Sequence, residues 1–395
     1  MFKRPVSWLT VICLVLIVAM ASSTLTLLLA GAAPADTADG DDPLARAREI
    51  LEIVERDYYT EVDEEQLATG AIRGMLATLE DPYTFYYTTE EYQAMNEETT
   101  GQYSGVGMLV GLDGKGNLMV MRVFRNSPAM NAGVQAGDLL VAVDGAPVAG
   151  ETSQDLNAAV ALLKGDDQTP VDATFERDGE RLTFTLTRGA VNINYVEYSV
   201  LDGEIGYLSI YQFTGDDVEG VTEALSAFRE AGVRALVVDV RSNPGGLLDD
   251  VVQICDLLVP EGLIVYTEDR QGRRQEYYAD ADYWDVPMAV LVNGMSASAS
   301  EIFAAAVQES GRGVIVGETT YGKGIVQTLF SFSEGDGVQL TTSAYYTASG
   351  ASIHGQGVTP DIEVSLTDDD PIVYYAPDPE GDEQLRAALE ALNAA

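Results

Sequence analysis

The sequence predicts an α/β protein: a core of buried, mostly parallel strands alternating with helices, with a strand-rich region and a helical N-terminal segment ahead of it. Three observations carry this. From about residue 190, apolar strands such as "RALVVDVR" (234–241) and "MAVLVN" (288–293) alternate with helical stretches, the βαβ pattern of a sheet covered on both faces. Between residues 101 and 188, short strands are separated by glycine turns. Between 44 and 80, apolar residues recur at helical spacing.

Taken in chain order, Lys3 and Arg4 precede a stretch without charge from Pro5 to Ala35. A helix needs about 20 apolar residues to span a bilayer, so residues 1–35 read as a membrane anchor or signal segment. The basic residues before it, and Asp36, Asp39, Asp41 and Asp42 after it, place the body outside the cytoplasm. Ala30-Gly31-Ala32 offers a cleavage site, which would release a secreted protein. The apolar run Val6–Leu29 is long for a signal peptide, and favours an uncleaved single-pass anchor. Residues 36–100 form a linker and a helical segment. Leu44, Ala47, Ile50, Leu51 and Val54 make one stripe, and Leu67, Ile72, Met75, Leu76 and Leu79 another; Asp81-Pro82 ends it. Two short helices cannot bury both stripes alone, so a homodimer surface is expected here.

Composition narrows the partners. With 63 acidic and 22 basic residues the net charge is −41, which excludes nucleic acid and electrostatic docking on anionic lipid. The two cysteines, Cys13 and Cys255, have no metal-site spacing and are not expected to pair.

Residues 101–188 contain "GVGMLVGLDGKGNLMVMRVF", two strands around a turn at Asp113-Gly114, then "SPAMNAGVQAGDLLVAVDGAPV", a short helix, a glycine turn and a strand at Leu139–Val143. A helix "TSQDLNAAVALLKG", capped by Thr152 or Ser153, and a hairpin turning at Asp178-Gly179 complete the region. The stretch resembles a PDZ domain. The resemblance implies that Gly105, Val106, Gly107 and Met108 form the loop whose N–H groups hold a peptide's C-terminal carboxylate, the peptide adding a strand to the sheet edge.

In the core, residues 205–210, 234–241 and 288–293 read as strands, and 217–232, 246–259 and 300–311 as helices. "NGMSASASEIF" (293–303) follows the third strand. Ser298 stands three residues before Glu301, the capping-box spacing, which is sufficient reason for a serine there. A serine on a strand-to-helix turn beside free N–H groups also suits a nucleophile, and the two readings do not exclude each other. A nucleophile needs a base. His354, the single histidine, lies in a loop-like "SIHGQG" with nothing nearby to support a triad. Lys323, between Gly322 and Gly324 and before Ile325-Val326, could be held neutral by burial.

"SASASEI" followed by "GETTYGKGIVQT" resembles the carboxyl-terminal processing, or tail-specific, proteases, serine peptidases with a Ser–Lys dyad. "LEDPYT" (79–84), "VDVRSNPGGLL" (238–248) and "LTTSAYYTASGASIHGQGVTPDI" (340–362) agree, as does a PDZ domain ahead of the core. The resemblance implies a ClpP/crotonase-like peptidase domain over 189–367, followed by an acidic tail with a short helix over 368–395. It implies Ser298 as nucleophile, Lys323 as general base 25 residues later, and Gln327 orienting the lysine. The N–H of Ala299 and one from the Asn243–Gly246 turn, Gly245 or Gly246, form the oxyanion hole. Ser296 and Ser300 stay structural. No metal or cofactor is implied, and the partners expected are protein or peptide substrates with free C-termini. His354 departs from the Gln or Lys of many relatives. An inactive PDZ scaffold is the alternative; a trypsin-like protease would need a catalytic histidine and a β-barrel pattern, and neither is present.

Overall fold

The computed structural model of the 395-residue chain describes residues 44–100, 102–113, 115–150, 152–365, 377 and 379–394. The membrane segment expected over 1–35, its cleavage site, the linker before residue 44, Gly114 of the first hairpin turn and most of the acidic stretch after Asp368 lie outside these residues. Among the described residues, no helix is long and apolar enough to cross a membrane. The chain forms two compact units, residues up to Ala71 and Ile72–Ala395.

The first unit holds α1 (Ala45–Asp57) and the start of α2 (Glu64–Ala77), which runs across the boundary. Helix α1 buries no residue and leaves Ile50 and Ile53 about half exposed.

The second unit opens with β1 (Phe85–Tyr87), α3 (Thr89–Thr100) and β2 (Gln102–Gly105). A separate module follows: β3 (Met108–Leu112), β4 (Leu118–Val123), α4 (Pro128–Ala132), β5 (Leu139–Val143), β6 (Ala146–Pro147), α5 (Ser153–Leu163), β7 (Pro170–Arg177) and β8 (Glu180–Thr187). Its six strands form one antiparallel sheet around Val120, Leu140, Ala173 and Phe175, all nearly inaccessible. Alternation of buried and outward residues along β7 is what one covered face requires. Thr152 caps α5 with Asp155 as its capping-box partner. The chain leaves through β9 (Gly189–Asn192), which pairs antiparallel with β2, Tyr103 opposite Val191. The module is therefore inserted through a two-stranded ribbon.

The core comprises β10 (Val196–Leu201), β11 (Ile205–Ile210), α6 (Asp217–Ala231), β12 (Ala235–Asp239), α7 (Leu248–Leu258), β13 (Gly262–Asp269), β14 (Arg274–Ala279), β15 (Met288–Val292), α8 (Ala299–Glu309), β16 (Val314–Gly317), β17 (Ile325–Ser331), β18 (Gly337–Thr347), β19 (Ile362–Glu363) and α9 (Glu383–Ala394). Six strands order as β10-β11-β12-β15-β16-β19, parallel except for β10 against β11. All five residues of β15 are buried, as both faces of the sheet are covered. Val221, Phe228, Ile254 and Phe303 of α6, α7 and α8 pack on one face. Leu385 and Ala388 of α9 pack on the other, beside Val237, Leu291 and Val316. The last helix, read from sequence only as part of a tail, thus covers half of the central sheet. A second, antiparallel sheet joins β1, β17, β18, β13 and β14. The sequence reading missed it.

Candidate active site

Strand β15 ends at Val292, and the chain reverses over Asn293–Ala297 before α8 begins. Ser296 and Ser300 are fully buried in this turn: the Ser296 hydroxyl donates to the Val240 carbonyl at 2.8 Å and the Ser300 hydroxyl to the Asn243 carbonyl at 2.9 Å. The two bonds tie the turn to residues 240–243, as a structural role requires. Ser298, between them, has φ 56° and ψ −114°, a conformation that a side-chain-bearing residue adopts only under strain. The turn lifts Ser298 into a cavity of about 350 Å³ whose wall includes Gln212, Gly246, Ala299, Lys323, Gln327 and Tyr345.

The Asn243–Gly246 turn comes from the end of β12. Gly245 is pressed on Ser298: a Cβ there would lie 2.7 Å from the serine Cβ and 3.0 Å from the Ala299 nitrogen, and φ is +107°. The Gly245 N–H is already used, donating to the Asn243 side-chain oxygen at 2.9 Å. Gly246 forms a parallel bridge with Phe213 in which Phe213 N–H bonds the Gly245 carbonyl and Leu247 N–H bonds the Phe213 carbonyl. That pairing turns the Gly246 N–H away from Phe213, and among the described residues it has no hydrogen-bond acceptor. Of the two glycines, Gly246 alone keeps a donor for an oxyanion.

Lys323 lines the same cavity, but its Nζ makes no hydrogen bond to Ser298 among the described residues. It lies 4.6 Å from the centroid of the Tyr83 ring. Burial lowers the lysine's pKa, against the charges of Asp81 and Glu301, which raise it. The Tyr83 phenol, hydrogen-bonded to Tyr321 and partly buried, is pushed up to about 12. Asp81 accepts from Thr84 Oγ1 at 2.7 Å and the Tyr83 N–H at 2.9 Å. Its pKa is lowered: burial opposes this, and the hydrogen bonds from Thr341, Thr84 and Tyr83, with the nearby lysine charge, outweigh burial.

Gln327 also lines the cavity, but its amide donates to Thr341 Oγ1 at 3.3 Å and does not reach Lys323. A register shift on β18, from Ser343 opposite Val326 to Thr341 opposite Gln327, sets Gln327 beside Thr341. His354 is exposed, accepts the Gly324 N–H through Nδ1 at 3.4 Å, and is not part of the cavity wall.

Glu301 proves to be more than a capping residue. Its fully buried carboxylate accepts four hydrogen bonds: the N–H groups of Ser298 and Lys323 on Oε2, both at 2.8 Å, and the Thr320 hydroxyl and Gly322 N–H on Oε1, at 2.6 and 2.7 Å. The Tyr345 hydroxyl lies between the carbonyls of Ser298 and Lys323 and shares its one proton with both. Nucleophile turn and lysine loop are thus joined twice. In the sequence Glu301 shows only the capping-box spacing, and nothing marks Tyr345.

The PDZ-type loop lies at the end of a separate groove of about 370 Å³ between β3 and α5, walled by Val106, Met108, Val110, Val160 and Leu163. Gly107, at φ +81°, packs on Ser127, where a Cβ would lie 2.1 Å from the serine Cβ. Gly105 to Met108 are buried, with Tyr103 beside them.

A serine raised on a strained strand-to-helix turn over a cleft, with donors at a helix N-terminus, is the arrangement of a serine hydrolase. Comparison with known proteins narrows the class. Residues 204–364 match peptidase family S41, 119–177 match the PDZ domain, and 26–91 match the N-terminal domain of the activating protease CtpB. A carboxy-terminal-processing protease of Bartonella bacilliformis is 39% identical, covering 81% of this chain and 75% of that protein. The carboxy-terminal processing protease CtpA of Bacillus subtilis is 32% identical, covering 90% and 77%. Among solved structures, a photosystem II D1 C-terminal processing protease is 32% identical with a TM-score of 0.51, covering 82% of this chain and 87% of that one. The chain belongs to the S41 serine peptidases, among the carboxy-terminal processing proteases.

Proposed function

We propose that the chain is an extracytoplasmic endopeptidase that takes protein substrates by their C-termini and cleaves them through a Ser298–Lys323 dyad. The observation that carries this reading is the shared anchorage of the two residues: Glu301 and Tyr345 fix the backbones of Ser298 and Lys323 together at one cavity. Burial lowers the lysine's pKa, the direction that favours the neutral amine a general base requires. In the first step the Ser298 hydroxyl gives its proton to Lys323 Nζ as Oγ bonds the scissile carbonyl carbon. The resulting oxyanion is held by the N–H groups of Ala299 and Gly246. The C–N bond then breaks, the protonated lysine gives its proton to the leaving amine, and an ester on Ser298 remains. Water, deprotonated by Lys323, hydrolyses that ester. Apolar walls from Leu247, Ile302, Ile325 and Val326 suit an apolar side chain next to the scissile bond.

The amine over the Tyr83 ring supports a resting site in which Lys323 must turn toward Ser298 before the first step. That position is also what an inactive scaffold would tolerate. A fluorophosphonate probe separates the two: the full chain is expected to be labelled, Ser298→Ala not at all. Failure of the intact protein to react, with or without a peptide substrate, would favour the scaffold.

The finer organisation belongs to the same proposal: an N-terminal anchor over residues 1–35, a PDZ domain over 101–188 that selects C-termini, and a ClpP/crotonase-like peptidase domain over 189–367. The exposed Ile50 and Ile53 of α1 support a homodimer surface, which light scattering of residues 36–395 tests by giving twice the monomer mass or not.

A further inference from the structure

The motif "LEDPYT" (79–84) lies far from Ser298 and Lys323 in sequence, yet it sets the Tyr83 ring under the lysine, with Nζ 4.6 Å from the ring centroid. The ring is fixed at both ends. Asp81 closes the turn by accepting the Thr84 hydroxyl at 2.7 Å and the Tyr83 N–H at 2.9 Å. Strand β18 ties that turn to the core: the Gln339 amide donates to the Tyr83 carbonyl at 3.0 Å, and the Thr341 N–H to Thr84 Oγ1 at 3.4 Å. At its other end the Tyr83 hydroxyl donates to the hydroxyl of Tyr321, in the lysine's own loop, at 3.5 Å. The movable partner is therefore the lysine side chain, whose Nζ makes no hydrogen bond among the described residues. An aromatic face attracts a cation through its quadrupole and has little hold on a neutral amine. The ring thus favours the form of lysine that cannot act as a base.

We propose that Tyr83 is a positioning residue for the base: its ring holds Lys323 as the ammonium, turned away from Ser298, and releases it once the proton has gone to solvent. This rests on the reading of Lys323 as the general base. Loss of the proton and the swing toward Ser298 are then one event, because the attraction that parks the amine disappears with its charge. The other titratable groups around the amine do not replace the ring. The Glu301 carboxylate favours the charged form, but its oxygens already accept four hydrogen bonds. The Asp81 carboxylate acts in the same direction, and it too is engaged within its turn. Tyr345 bonds the Lys323 carbonyl, Tyr321 bonds Tyr83, and His354 takes the Gly324 N–H.

The test follows the rate at which a fluorophosphonate labels Ser298 in the full chain, across pH and without a peptide, so that peptide binding does not enter. Labelling should rise with pH along a limb set by Lys323. Tyr83→Phe keeps the ring face and should hold the midpoint of that limb at its wild-type pH. Tyr83→Leu removes the face and should move the midpoint down by about one pH unit, so that labelling on the acidic limb runs about tenfold faster than in the wild type. A trifluorinated phenylalanine at position 83 keeps the shape of phenylalanine but drains the ring face of electrons. It should move the midpoint the same way, and it decides the question if melting curves show that Tyr83→Leu does not fold. A midpoint that stays in place with the fluorinated ring overturns the proposal, since a packing role changes the plateau and not the midpoint. Lys323→Ala separates the two readings. Lost labelling in that variant, with the limb unmoved by the ring substitutions, overturns the role of Tyr83 alone. Labelling of Lys323→Ala along the wild-type limb overturns Lys323 as the base, and the role of Tyr83 with it.

Discussion

At Lys323 a single proton decides whether the site can act. A depressed pKa leaves the amine protonated, and useless as a base, below that pKa, and neutral above it. Peptidase activity is therefore expected to rise with pH through the lowered lysine pKa and level off beyond it. Lys323→Arg keeps the charge but cannot accept a proton, so kcat/KM should fall by at least about 100-fold with an unchanged melting temperature. Near-normal cleavage by that variant would remove Lys323 as the base. Ser298, Lys323, Ala299 and Gly246 were all readable as candidates, because their motifs are contiguous runs in the sequence. Glu301 was readable only as a cap, since its other partners lie 19 to 22 residues away in sequence. The pairing of Gln327 with Thr341 comes from a register shift that residue spacing does not encode, and Tyr83 acquires its place under the lysine only through tertiary packing.

Between helices α6 and α7 two carboxylates meet. Asp217 is fully buried at the start of α6, where one oxygen accepts the Val218 N–H at 2.7 Å and the side chain faces the Asp250 carboxyl. Burial first, then the charge of Asp250 on α7, raises its pKa to about 7. An unfolded aspartate ionises near pH 4, so the folded state binds the extra proton between about pH 4 and 7. Stability from this residue is thus full at low pH, is lost as pH rises through that window, and stays lost above it. Asp217→Asn is expected to stabilise the protein by roughly 2–4 kcal/mol at pH 8 and to change little at pH 4, by urea unfolding at both. Equal effects at the two pH values would contradict a protonated Asp217. At this scale β11, β12, β15 and α6 to α8 were legible because strands covered on both faces must be continuously apolar. The sheet of β13, β14, β17 and β18 was not: segments such as "RQEYYA" and "TLFS" are largely exposed, and their pairing is set by distant neighbours.

Across the whole core, the C-terminal helix is held by a buried cation. Arg241, with no exposed side chain, pairs with Asp239 at 2.6 Å and with Asp382 at 2.8 Å, and donates to Gln384 at 3.1 Å. Burial opposes its charge, but the two carboxylates outweigh it and raise the pKa. The Tyr207 hydroxyl donates to Asp239 at 2.6 Å, closing the network. Arg241 directly precedes the Ser242–Gly246 turn, so the end of the chain and the floor of the active site share one anchor. Asp382→Ala removes a partner from a fully desolvated charge. It should cost about 3 kcal/mol in a chemical denaturation curve, and activity should fall in parallel as the turn loosens. A loss under 1 kcal/mol would show that Asp239 alone satisfies the arginine.

The positive φ of Ser298 also has an evolutionary side. A residue with a Cβ in that conformation holds about 1–3 kcal/mol of backbone strain, whereas glycine adopts it freely. Ser298→Gly should therefore melt several degrees above Ser298→Ala, although both are inert. Random mutation screened for thermal tolerance alone would drift toward glycine here and lose the nucleophile. The serine persists only where proteolysis itself is under selection, so in any descendant chain glycine at 298 would mark a protein that has stopped cutting and kept its fold.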